Sequence, residues 1–202
     1  MTTPVEELVR TTRSRVLRLQ EPYLRDQPAA VRTLAVLRRQ RSSAAADPEA
    51  WEALFDNIPA VLIGKSDEPS DAERALHLSV VLYAVHQQGR PTPVHQSGAT
   101  LGSAVRRLSD NATDAASVRR FKTLGSASSW AEIAHHLRGL VTQLRGAQIP
   151  LDYGLLAGDL FWLQRPATAD RVRRRWGRDL HRVTTEENST PLPTPEPPGA
   201  SA

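Results

Sequence analysis

SDAERALHLSVVLYAVHQ, residues 70–87, begins with a serine followed three places later by a glutamate, then runs into a long apolar-rich segment. In that spacing the Ser70 oxygen accepts from the Glu73 backbone N–H and the Glu73 carboxylate reaches back to Ser70, which marks a helix start. The spacing predicts a helix over about 71–88, stopped by Gly89, Pro91 and Pro93. Its apolar core VVLYAV, residues 80–85, and the segment PAVLI, 59–63, are far shorter than the ~20 residues a membrane span needs.

Working outward, the same three-four periodicity recurs. It predicts helices near 5–19, 29–41, 48–55, 101–109, 115–124, 130–145, 152–164 and 169–182. Ser129-Trp-Ala-Glu132 repeats the capping-box spacing, and Asp114, Asp152 and Thr168 are candidate N-caps. Gly125, Gly146 and Pro166 read as stops. No stretch alternates apolar and polar residues with β-branched enrichment between turns, so no strand is predicted. The expected fold is all-α, a two-lobed helical bundle of about eight or nine helices. The break GRPTPVHQSGAT, 89–100, suggests an N-terminal lobe over 1–94 and a C-terminal lobe over 95–183. The remainder, 184–202, has five prolines and one large apolar residue, Leu192; it reads as a disordered tail.

The chain has 202 residues, no cysteine and a formal charge of +4. Disulfides, zinc ribbons and thiol nucleophiles are therefore excluded. Arg10, Arg13, Arg15 and Arg18 stand in the first twenty residues without a central apolar region, which does not read as a secretory signal; a cytoplasmic protein is expected. Glu186, Glu187 and Glu196 are the only charges after residue 183, so residues 1–183 carry +7. Of 26 basic residues only Lys65 and Lys122 are lysines. Arginine's planar fork suits phosphate better than a point charge does, although codon usage in a GC-rich genome gives the same bias.

The cations are clustered. VRRFKTL, 118–124, places Val118, Phe121 and Leu124 on one helical face and Arg119 beside Lys122 on another, with Arg120 on the flank and no acid inside the stretch. LAVLRRQR, 34–41, ends a predicted helix with Arg38, Arg39 and Arg41. LGSAVRRL adds Arg106 and Arg107, with Asp110 close by, and HHLRGLV adds Arg138. In RVRRRWGRDLHR, 171–182, Val172, Trp176 and either Leu180 or Val183 form a buried stripe beside Arg171, Arg174, Arg175, Arg178 and Arg182, with Asp170 and Asp179 in helical register to answer them. Each set is either a solvated face or a set of phosphate ligands.

Catalytic constellations are missing. The six histidines form no HExxH, and neighbours such as His135 and His136 diverge by ~100° on a helix, so no metal site is expected. Asp152 and Asp159 share a helical face, but no further acid or histidine completes a nuclease site. GATLG, 98–102, lacks the lysine of a P-loop, and there is no GxSxG. Phe161, Trp162 and Trp176 fall where periodicity expects core, which leaves little for a base-stacking platform. Any binding should rest on the phosphate backbone and ignore base sequence.

Taken in order, LGSAVRRL, VRRFKTLGSASSWAEIAHHLRGLV, IPLDYGLLAGDLFWL and RVRRRWGRDLHR resemble the CasB family, the small subunit of the type I-E CRISPR surveillance complex, Cascade. VRTLAVLRRQR, a Trp-containing acidic segment and the helix of the opening stretch extend the resemblance over about residues 28–182. It implies a non-enzymatic, all-helical protein without cofactors. Two copies would sit head to tail beside the large subunit and the repeated backbone subunits. A basic surface would help hold CRISPR RNA and target DNA and guide the displaced non-target strand, stabilising the R-loop. Arg38 or Arg39, Arg119 and Arg138 match family positions on that path, and Arg106 and Arg107 lie in a matching segment. At Gly125 and Gly139, where relatives can carry further basic residues, Arg120 and Lys122 are the candidates to replace them. The competing reading is a stand-alone helical DNA-binding regulator, which needs a polar base-reading helix. The second helix of the nearest candidate, 115–145, is apolar, Ala-rich and His-containing.

Overall fold

The computed structural model describes residues 2–40, 48–111 and 115–182. Arg41, the Asp114 cap and the tail over 184–202 lie outside them. Among the described residues the chain is all-α: α1 Pro4–Leu24, α2 Pro28–Arg39, α3 Trp51–Phe55, α4 Asp71–Gln87, α5 Leu101–Asn111, α6 Ala115–Ser126, α7 Trp130–Gly146, α8 Tyr153–Leu163 and α9 Pro166–His181. Single 3-10 turns at Pro48–Ala50 and Ala60–Leu62 stand before and after α3, so the helix expected over 48–55 is present with its first three residues wound as 3-10.

The opening stretch is the centre of the molecule. Ser70 Oγ accepts from Glu73 N at 3.0 Å, and Glu73 Oε2 accepts from Ser70 N at 2.8 Å and from Gly64 N at 2.9 Å. From Ala75 to Gln87 every residue of α4 is buried. A helix apolar on all sides has to lie inside. It is enclosed by α1, α2, α7 and α8, and α8 is itself buried along almost its whole length between α1, α4 and α9.

Three polar residues tie this core to its surroundings. Asp152 caps α8, accepting from Gly154 N at 2.9 Å and Leu155 N at 3.1 Å. It also takes Gly98 N at 2.8 Å and both Arg13 donors, Nε at 3.2 Å and Nη2 at 2.6 Å. Burial pushes its carboxyl up, but Arg13 and the backbone N–H groups outweigh that and hold it below the usual range. Gly154 is required for this approach, since a Cβ there would meet Arg13 Cγ at 2.6 Å and the Val9 carbonyl at 2.8 Å. Arg15, buried in α1, donates to the Ala53 carbonyl at 3.0 Å and the Asp56 carbonyl at 2.6 Å, satisfying the end of α3. Asp159 accepts from Arg175 and from Trp176 Nε1, joining α8 to α9.

Several local expectations are corrected. Thr168 lies inside α9, its hydroxyl donating to the Trp162 carbonyl at 2.7 Å; the N-cap is Arg165, and Pro166 opens α9 at a position where its missing N–H costs nothing. Gly125 and Gly146 fall inside α6 and α7, and the left-handed residue after α7 is Gln148, φ 57°. α2 ends at Arg39 with Gln40 as its cap. Trp162 is half-buried rather than core, while Phe161 and Trp176 are buried as expected. On α9, Asp170 pairs with Arg173 at 3.0 Å instead of Arg174, and Arg175 is engaged by Asp159.

Candidate nucleic-acid interface

The eight cations singled out in the sequence occupy four helices. Arg38 and Arg39 close α2, Arg106 and Arg107 lie on α5, Arg119, Arg120 and Lys122 on α6, and Arg138 on α7. Phe121 and Leu124 are buried, and Phe121 lies 5.7 Å from the Trp176 ring; that anchors α6 and leaves Arg119, Arg120 and Lys122 exposed.

The fold joins two of these sets across 100 residues of sequence. Arg138 Nη2 donates to the Arg38 carbonyl at 2.7 Å, fixing its guanidinium over the end of α2. Arg120 reaches the next residue of α7: a side chain at Gly139 would run into its guanidinium. Glycine there is the space that Arg120 occupies. Arg138 is thus drawn to the end of α2 beside Arg38, and Arg120 lies against α7 at the adjacent residue. Arg106 donates from Nη1 to the Arg182 carbonyl at 2.8 Å, which ties α5 to the end of α9.

Most of the candidates have no carboxylate partner, a property they share, among the described residues, with Arg32, Arg74, Arg90, Arg145, Arg171, Arg174 and Arg178. Among the described residues no carboxylate lies within 4.0 Å of the charged end of Arg38, Arg107, Arg119, Arg120, Lys122 or Arg138. Arg13, Arg165, Arg173 and Arg175 each have one. Arg39 meets Glu49 at 3.4 Å, but both side chains are about two-thirds exposed, so the pair contributes little. Asp152 and Asp159, the carboxylates weighed for nuclease chemistry, are each engaged with an arginine in the scaffold. No cluster of three or more His, Asp or Glu suited to a metal occurs among the described residues.

Beneath Arg39 and Arg138 runs a groove of about 330 Å³ between α2, α4 and α7. Gln40 and His135 complete its rim, and Leu78, Val81, Leu82 and Ala134 form its floor. The sequence did not single out these residues for binding. The floor residues look like any buried helical positions, and their neighbours across the groove are some fifty residues distant.

The profile of the family described as CRISPR-associated protein Cse2 matches residues 33–181, a span that contains all eight cations. The crystal structure of CasB from Thermobifida fusca shares the fold at a TM-score of 0.74 and 38% identity, covering 87% of this chain and 98% of that one. Comparison with curated proteins gives no match. With that profile matched over most of its length and that fold shared, the chain belongs to the Cse2 family of CRISPR-associated proteins.

Proposed function

We propose that this chain is the non-catalytic small subunit of a type I-E CRISPR surveillance complex and works by gripping nucleic-acid backbones. The observation that carries the proposal is the contact of Arg138 with the Arg38 carbonyl. It brings cations 100 residues apart in sequence together on a surface whose one described ion pair is the exposed Arg39–Glu49 contact. Arg38, Arg39, Arg119, Arg120, Lys122 and Arg138 hold phosphates there, and Arg106 and Arg107 extend the path over α5. With lobes taken as 1–94 and 95–183, the groove is their seam, which a strand crossing the protein would follow.

The role follows from energetics. Replacing a DNA duplex by an RNA–DNA heteroduplex is nearly balanced, so backbone contacts and capture of the displaced non-target strand tip the exchange. Such contacts need no base reading. The partners are CRISPR RNA, target DNA, the large and backbone subunits and a second copy of the chain, in the cytoplasm.

A salt titration tests this on the full-length chain. Affinity for single-stranded DNA should fall steeply with salt and be the same for two unrelated sequences. The variant with Arg38, Arg39, Arg119 and Arg138 all changed to Gln should bind more weakly, its log–log salt slope shallower by about three. An unchanged slope would show that these cations only face water. Preference for one duplex by several kcal/mol would instead favour the regulator.

A further inference from the structure

We infer that the groove between α2, α4 and α7 seats one unstacked nucleotide of a single strand, with its phosphate on Arg39 and Arg138 and its base on the apolar floor. The inference rests on the backbone-binding reading above and adds to it that a base is held as well as phosphates. A phosphate needs only donors. Here the donors stand over Leu78, Val81 and Ala134, so a ligand that satisfies the whole groove is anionic at one end and apolar and flat at the other.

The dimensions agree. A volume of about 330 Å³ lies at the lower end of the range for small-ligand pockets. Arg138 is held by the Arg38 carbonyl through one of its five donors, which leaves the rest of its fork for an anion at a fixed place. Among the described residues no acidic side chain lines the groove, and the nearest described carboxylate on its rim cations is Glu49, 3.4 Å from Arg39. His135 is exposed at the rim and stands edge-on to His136, ring centroids 5.3 Å apart. Histidine rings and arginine planes are surfaces on which unstacked bases lie. Because the floor is aliphatic it presents no donors or acceptors to base edges, so all four bases suit it.

The test compares two probes of equal length and charge, labelled oligothymidine and its abasic sugar-phosphate counterpart, by fluorescence anisotropy with the full-length chain at low salt. Wild type should bind the abasic strand about tenfold more weakly. Ala131→Phe, which fills the groove from its exposed edge, and His135→Ala should each reduce that preference towards unity while binding the abasic strand as wild type does. Arg138→Gln should weaken both probes alike. Equal wild-type affinity for the two strands overturns the nucleotide seat and leaves backbone binding standing. So does a preference that survives both variants with melting temperatures unchanged. Failure of wild type to bind either strand overturns both.

Discussion

Asp152→Ala is expected to lower the unfolding free energy of the chain by about 3–5 kcal/mol, measured by urea denaturation followed by far-UV circular dichroism. Asp152 is fully buried at its side chain and accepts five hydrogen bonds, two from Arg13 on α1, one from Gly98 in the break before α5 and two from the first turn of α8. Alanine removes all of them together and leaves the Arg13 guanidinium, one-third exposed, without its partner. Breaking a buried pair from one side costs far more than the pair contributes over an apolar substitute. Asp152→Asn keeps an oxygen for the cap and loses the charge, so its loss should fall between that of alanine and zero. A loss under about 1 kcal/mol for Asp152→Ala would show that α1 and α8 are held by apolar packing alone.

The second large effect is acid sensitivity from α4. His77 and His86 are buried there, and burial lowers each to about 4, with Arg90 and Arg145 adding to the effect on His86. The unfolded chain takes up a proton at each near 6.5. The unfolded state therefore binds more protons as pH falls from 6.5, stability drops through that window, and the drop ends near 4, where the folded state protonates too. Each histidine contributes a loss of roughly 3 kcal/mol over that window. Asp159 acts in the opposite sense: burial raises it to about 6 against Arg175 and Trp176, so its protonation favours the folded state between about 6 and 3.8. From these three groups the net expectation is a loss of roughly 3 kcal/mol between pH 6.5 and 4, and His95, lowered by burial as well, adds to it.

His77→Leu isolates the effect. Neither ring nitrogen of His77 meets a hydrogen-bond partner among the described residues, so the substitution should cost little at pH 7 and remove about half of the α4 histidine loss. If the stability of His77→Leu followed the same pH profile as wild type, the acid sensitivity would lie elsewhere.

Much of the fold was legible because its signals are local. Ser70 with Glu73 and Ser129 with Glu132 form their capping boxes as the spacing predicts, and the break after Gln87 falls at Gly89, φ 65°. Glycine and threonine misled where they have two uses. Gly125 and Gly146 sit in last turns rather than beyond them, and Thr168 bonds backward to Trp162 from inside its helix.

The candidate site was legible as clusters of like charge but not as a surface. Which arginines belong to the scaffold depends on partners far along the chain: Asp152 for Arg13, the Ala53 and Asp56 carbonyls for Arg15, Asp159 for Arg175. Periodicity cannot see those. Gly139 was equally opaque, because its meaning is the Arg120 side chain that crosses it. What the sequence did carry was the absence of acids around VRRFKTL, and in the structure those cations are exposed without a described carboxylate partner.

The most direct test of the central claim is target-DNA affinity of the assembled guide-RNA complex, measured with the wild-type chain, without it, and with Arg38, Arg39, Arg119 and Arg138 changed to Ala. The account predicts that the variant enters the complex yet binds target as weakly as the complex lacking the subunit, with a shallower dependence on salt. A variant that assembles and binds target like wild type would contradict it.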